Sequence, residues 1–244
     1  MLDFEFMSPT QFVFGRGAEE KVGGKLAERG AKKVLLHYGG RSAVESGLID
    51  RVSASLDAAG IACVKLGGVR PNPEIGLVRE GVALCKKDGV DWVLAVGGGS
   101  VVDSAKAIAN GACIDGDVWE LFATKRPNEN VLPIAVVLTI PAAGSEASKN
   151  TVVSNDALGM KTGYGNEHQR PKLAFMNPEL TFTLPPYQTA AGVTDMFCHL
   201  LERFFDDVGA VPVTDNLALS LMRTVRAEAP RVLADPEDYE ARAN

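Results

Sequence analysis

Trp92-Val93-Leu94-Ala95-Val96-Gly97-Gly98-Gly99-Ser100 is the stretch on which the fold turns. Its apolar run carries no charge and reads as a short buried strand, which the three consecutive glycines stop abruptly. A helical pattern then starts at once, from Val101 to Gly111. Ser100 is a candidate cap for that helix, and Asp103 adds negative charge near its positive end. Glycines at the carboxyl end of a buried strand let a backbone approach a ligand closely. The amides of the helix start then face an anion such as a diphosphate. A bend serving only the strand-to-helix reversal is the plainer alternative, but three glycines in a row exceed what a bend needs. The stretch has neither the Gly-x-Gly-x-x-Gly spacing nor a Walker lysine.

The pattern repeats on the amino-terminal side. Lys33 to Tyr38 is a mostly apolar run stopped by Gly39-Gly40. Val44, Leu48, Val52 and Leu56, spaced at fours, predict one helix ending near Gly60. Ile61 to Leu66 reads as a second strand, Asn72-Pro73 as a loop, and Ile75 to Lys87 as an amphipathic helix closing at Asp88-Gly89. On the carboxyl side, Val131 to Ile140 supplies another very apolar strand. Continuous apolar strands alternating with helices predict an α/β fold with a mostly parallel sheet covered on both faces. Beyond Gly144 the signal weakens, with Thr151 to Ser154 and Leu173 to Met176 as further strands and Asn177-Pro178 as a turn. After Leu184-Pro185-Pro186 the character changes. Thr189 to Phe205, Asp215 to Ala227 and the stretch from Asp238 onward are all of helical period. This predicts two domains, residues 1–184 and an incomplete helical part at 185–244.

Composition removes several function classes. The chain of 244 residues has a net charge of -6 and no basic run, which argues against a nucleic-acid surface. No apolar run approaches the roughly 18 residues of a membrane helix. Met1 to Phe14 carries Asp3 and Glu5 and lacks the basic and apolar regions of a signal peptide. Cys63, Cys85, Cys113 and Cys198 show no Cys-x-x-Cys spacing. The expectation is a soluble cytoplasmic protein with neither nucleic acid nor membrane as partner.

Other segments carry chemistry less specifically. Gly39-Gly40-Arg41-Ser42 follows the first strand, where an acidic residue favours NAD and its absence beside a cation admits a 2′-phosphate. Here there is no acid, and Arg41 and Ser42 offer donors; an ordinary surface turn explains the segment equally well. Thr139 to Glu146, with Ser145, is a loop of small and hydroxyl residues suited to a flat cofactor, and it is also a good structural loop. Lys161 lies in a polar, Gly-rich stretch and can reach a phosphate or ribose, although solvated lysines are commoner. Asp195 and His199 sit four apart in a helical stretch and share a face, so they can take two positions on one metal ion. An isolated pair of this kind is more often a solvated surface pair, and a divalent site needs more ligands. Only His37 and His168 remain, and their positions do not obviously bring them there.

Taken together, these segments resemble the iron-dependent (group III) alcohol dehydrogenase family, closest to its NADP-linked butanol-dehydrogenase and aldehyde-reductase branch. The likeness runs over essentially the whole chain. It rests on Pro9-Thr10 to Gly17, Tyr38-Gly39-Gly40, Pro71-Asn72-Pro73, Gly97 to Lys106 and Pro141 to Glu146, and continues through Tyr164 to Glu167, Thr183-Leu184-Pro185 and Gly192 to Asp195 with His199. The resemblance implies a Rossmann-like cofactor domain followed by the start of a helical, dehydroquinate-synthase-like metal domain. It implies reversible hydride transfer between a nicotinamide and a primary alcohol or aldehyde, with a divalent metal (Fe²⁺, or else Zn²⁺ or Mn²⁺) as Lewis acid on the substrate oxygen. By position, Gly97, Gly98, Gly99 and Ser100 would hold the diphosphate, with Asp103 beside them. Thr139 and Ser145 would lie along the nicotinamide, Asn72 and Lys161 would line the cofactor, and Gly39 to Ser42 would suit NADP, with NAD possible.

Asp195 and His199 would begin an Asp-and-three-His metal set whose other histidines lie past residue 244. A homodimer pairing through Phe12-Val13-Phe14 is expected by analogy. Two rivals stand beside this enzyme reading: a nucleotide-binding fragment without turnover, and a glycerol-dehydrogenase-like reaction on the same fold.

Overall fold

The computed structural model describes residues 3–207 and 209–244, and the side chain of Arg41 lies outside the described part. The chain divides into two compact units. One comprises Pro9–Thr139 and Gly144–Asn177; the other comprises the segment up to Ser8, Ile140–Ala143 and Pro178–Asn244.

In the first unit the elements run β1 (Gln11–Phe14), α1 (Val22–Ala27), β2 (Lys33–Tyr38), α2 (Arg41–Glu45), α3 (Leu48–Ala58) and β3 (Ala62–Leu66). They continue with α4 (Ile75–Asp88), β4 (Trp92–Gly97), α5 (Gly99–Gly111), α6 (Trp119–Thr124), β5 (Ile134–Leu138), β6 (Asn150–Asn155), β7 (Met160–Gly165) and β8 (Leu173–Met176). Six strands form one parallel sheet in the order β1-β8-β5-β4-β2-β3, while β6 and β7 make a separate antiparallel hairpin. Every residue of β4 and β5 is buried, as their unbroken apolar sequences require of central strands covered on both faces. The apolar face of α5, including Val101, Val102, Ala105 and Ile108, joins Val93, Ala95 and Val136 of these strands in one core.

Three local expectations change. The pattern from Val44 to Leu56 is two helices, because Gly47 adopts a left-handed φ of 70° between them, and Val44 stays half exposed. The strand expected over Val131 to Ile140 shortens to β5. The polar, Gly-rich stretch that holds Lys161, to which the sequence pattern assigns no element, is strand β7, where polar residues and glycines conceal a strand whose one buried side chain is Tyr164.

The second unit holds α7 (Pro186–Phe204), α8 (Pro212–Ala234) and α9 (Tyr239–Ala243). Pro186 and Pro212 open their helices, a position where proline's fixed φ and missing N–H cost nothing. The Asp238 carboxylate caps α9, accepting from the Ala241 amide at 3.0 Å. Helix α8 packs against both α7 and α9. Val213, Leu217 and Leu221 form an exposed stripe at helical spacing along α8. Among the described residues, no helix is long and apolar enough to cross a membrane.

Candidate functional site

Strand order positions the site. From β2 the chain moves outward to β3, then crosses back to place β4 on the other side of β2. Connections at the carboxyl ends of β2 and β4 therefore diverge, the arrangement at which open parallel sheets commonly take their ligands. Those two ends carry Gly39-Gly40 and Gly97-Gly98-Gly99. β5 ends beside them: Gly97 pairs with Leu138, and the Thr139 amide donates to the Gly97 carbonyl at 3.1 Å.

The adjacent glycines differ in what they do. A Cβ on Gly97 would stand 2.5 Å from Val101 Cγ2, so this glycine lets α5 fold back tightly against β4. A Cβ on Gly99 would meet nothing within 4 Å. Gly98 occupies the N-cap, not Ser100 as expected, and having no side chain it offers no capping bond. Helix α5 starts at Gly99, ahead of the Val101 that its apolar pattern suggested; the Val101 amide donates to the Gly98 carbonyl at 3.0 Å, which leaves the Gly99 and Ser100 amides to face a ligand. Gly40 is likewise the N-cap of α2, also without a side-chain cap, and Ser42 lies in that short helix.

Asn72 and Lys161, distant in sequence, meet: Lys161 Nζ donates to Asn72 Oδ1 at 2.7 Å. The Ser154 amide draws the Asn72 loop onto the β6–β7 hairpin by donating to the Pro73 carbonyl at 2.8 Å, and Ser154 is paired with Lys161. Asn72 is one of two described non-glycine residues with positive φ, at 58°, a conformation that asparagine tolerates better than most.

Asp103 does not lie in the first turn of α5 and does not serve its dipole. It braces the loop that carries Ser145. Asp103 Oδ1 accepts from Ser145 Oγ at 2.7 Å, and its Oδ2 accepts from the Val152 amide at 3.1 Å. Lys106 is fully buried on the same helix face and donates to Ser145 Oγ (2.9 Å), Ser148 Oγ (3.2 Å) and the Asn150 carbonyl (2.8 Å). Burial lowers its pKa to about 8, against the opposing charges of Asp103 and Glu146. Burial raises that of Asp103, opposed by the Ser145 hydrogen bond and the Lys106 charge. Reading the sequence includes Lys106 in the Gly97 to Lys106 segment without giving it a role, and it does not single out Ser104 or Ser148. The signal is nonetheless present, since Asp103, Lys106 and Asn110 form a polar stripe at helical spacing amid alanines and valines.

His37 is sealed in the core. Its Nδ1 lies 2.9 Å from the Leu66 carbonyl and its Nε2 lies 2.8 Å from Ser104 Oγ. The carbonyl can only accept, so Nδ1 carries the proton and Nε2 accepts from the serine. Burial lowers the imidazole pKa to about 4, so the ring is neutral at physiological pH. The candidate ligands on α7 are placed differently. Asp195 Oδ1 and His199 Nε2 are 3.8 Å apart, with both side chains more than 40% exposed. An oxygen and a nitrogen donor one helical turn apart fit two positions around a divalent ion. Among the described residues, no group of three His, Cys, Asp or Glu gathers around an ion.

The iron-containing alcohol dehydrogenase family model matches residues 9–178, and that of the carboxyl-terminal region of Fe-containing alcohol dehydrogenases matches residues 189–244. The chain belongs to the iron-containing alcohol dehydrogenase family. A probable NADH-dependent butanol dehydrogenase of Bacillus subtilis is 43% identical over 242 residues, which is 99% of this chain and 62% of that protein. The NADPH-dependent aldehyde reductase YqhD of Escherichia coli is 34% identical over 247 residues, covering 100% of this chain and 63% of that one. The crystal structure of NADH-dependent butanol dehydrogenase A from Thermotoga maritima superposes with a TM-score of 0.95 at 43% identity, covering 99% of this chain and 60% of that one. The chain thus spans about 62% of the length of these curated relatives, and its α/β fold with a mostly parallel sheet is theirs.

Proposed function

We propose that the complete protein transfers a hydride between NAD(P)(H) and a primary alcohol or aldehyde, and that residues 1–184 hold the dinucleotide while 185–244 begin the metal domain. The observation that carries this is the strand-order reversal between β2 and β4, with both carboxyl ends built of glycine. The uncapped start of α5 would present its amides and dipole to the diphosphate, and the open space at Gly99 would let that group approach the backbone. Thr139 and Ser145, on the loop after β5, would border the nicotinamide, and the Asn72–Lys161 pair would line the remainder. Asp195 and His199 would contribute one oxygen and one nitrogen to a divalent metal, iron by family. When bound, that metal supplies Lewis acidity at the substrate oxygen, and the dinucleotide supplies or accepts the hydride.

Gly39 to Ser42 carry no carboxylate to repel a 2′-phosphate. NADPH is therefore accepted, with NADH as an alternative that the names of the B. subtilis relatives favour. Phe12 and Phe14, each about half exposed on the edge strand β1, would pair two copies. Four unpaired cysteines suit a reducing compartment such as the cytoplasm.

The test is fluorescence titration of the purified chain with NADPH and NADH, followed by butanal reduction with Fe²⁺ or Zn²⁺ added. Micromolar dinucleotide binding is expected, and absence of binding by both refutes the proposal. A second reading, a nucleotide-binding piece without turnover, is favoured by the lack of a third metal ligand among the described residues. Dinucleotide binding with neither tight metal binding nor aldehyde reduction would select it.

A further inference from the structure

We infer that Asp103 and Lys106 are positioning residues that fix the polarity of the Ser145 hydroxyl, making it a hydrogen-bond acceptor for the carboxamide N–H of a bound nicotinamide. The inference rests on the dinucleotide reading above and adds which atom of the ring substituent is recognised.

A serine hydroxyl has one proton and two lone pairs. The proton of Ser145 is committed to Asp103 Oδ1 at 2.7 Å. That carboxylate is itself oriented by the Val152 amide, which donates to Oδ2 at 3.1 Å, and its backbone is held by Thr151 Oγ1, which donates to the Asp103 main-chain carbonyl at 2.7 Å. One lone pair of Ser145 receives a proton from Lys106 Nζ at 2.9 Å. The ammonium cannot turn away from the serine, because its other two protons go to Ser148 Oγ and the Asn150 carbonyl. One lone pair remains, and it can only accept. Ser145 retains 7% of its surface and sits on the loop after β5, at the same sheet edge as the glycines. A ligand reaching it must bring an N–H or O–H, and the donor that a nicotinamide offers is its carboxamide amino group.

The network predicts its own reversal. In Asp103→Asn the Val152 amide still demands an acceptor, so the new side-chain amide turns its oxygen to Val152 and its NH₂ to Ser145. Both lone pairs of the serine are then filled, one by that NH₂ and one by Lys106, and its proton is left to point at the ligand. Asp103→Asn should thus convert Ser145 from acceptor to donor with little change in volume.

The test compares NAD⁺ with its 3-acetylpyridine analogue, in which a methyl replaces the amino group while the carbonyl stays, and includes ADP-ribose, which lacks the ring. Affinities are measured by calorimetry on the 244-residue chain. Wild type should bind the acetyl analogue about 5- to 10-fold more weakly than NAD⁺, the effect of one hydrogen bond left unmade. Ser145→Ala should bind both equally, Ser145→Thr should restore the difference, and Asp103→Asn should abolish or invert it. A merely structural role would weaken both ligands alike and leave their ratio unmoved. Equal affinity of wild type for both analogues, with ADP-ribose bound, overturns the inference and leaves the dinucleotide reading standing. If NADP⁺, NAD⁺ and ADP-ribose all fail to bind, both fall together.

Discussion

Replacing Gly99 by alanine tests whether this glycine serves a ligand or the fold. The added Cβ would meet no atom within 4 Å in the protein alone, and Gly99 is the first residue of α5. Alanine is the better helix former by about 0.5–1 kcal/mol in a helix interior, so stability should hold or rise slightly. With a dinucleotide bound, the methyl would occupy the space through which a diphosphate oxygen approaches the amides. Each charge-assisted bond lost there is worth about 1.5–3 kcal/mol, or roughly 10- to 150-fold in affinity. Gly97→Ala is the contrast: its Cβ would lie 2.5 Å from Val101 Cγ2 in a packed core, and the fold should lose about 1–3 kcal/mol. Thermal unfolding and NADPH titration on both variants separate the effects. Gly99→Ala should melt like wild type and bind NADPH at least about 10-fold more weakly. A folded Gly99→Ala protein with unchanged affinity would refute diphosphate binding at this bend.

Further outcomes follow from buried and exposed groups elsewhere. The folded-state pKa of His37, about 4, lies below the 6.5 of an unperturbed imidazole, so the unfolded chain binds the extra proton. Stability should therefore fall as pH drops from 6.5 to about 4, by a maximum of about 3 kcal/mol from this group, and His37→Gln should flatten that slope in urea titrations. Lys106→Met leaves the Asp103 carboxylate without its buried cation and should destabilise the protein by about 3–5 kcal/mol, read as a lowered urea midpoint. Calorimetry with Zn²⁺ should show weak binding to the 244-residue chain that His199→Ala or Asp195→Ala abolishes without changing NADPH affinity; tight binding that survives His199→Ala would remove α7 from the metal site.

Much of the parallel sheet is legible in the sequence because its central strands are buried on both faces and so contain little except apolar residues. Trp92 to Val96 and Lys33 to Tyr38 can be placed almost to the residue. The glycines after them are equally plain, since each stops an apolar run. What sequence does not supply is their difference in role. Gly97 answers to Val101, whereas Gly99 answers to nothing within 4 Å, and only the folded surroundings tell these apart. Strand β7 is obscured because its surroundings bury one side chain, so no alternation of apolar residues is left to read. The Asp103–Ser145–Lys106 cluster joins α5 to a loop 42 residues beyond Asp103, and such pairing leaves no local pattern except the polar stripe on the helix. Ser100 is not the cap that its residue type suggests, because α5 begins at Gly99 and places Gly98 at the N-cap, a boundary the apolar pattern from Val101 does not show.

The most direct measurement is a crystal structure of this chain grown with NADPH. The diphosphate oxygens should accept hydrogen bonds from the amides of Gly99 and Ser100, with the adenosine end beside Gly39-Gly40. A dinucleotide seated elsewhere on the sheet, with the bend after β4 free of phosphate, would contradict the account.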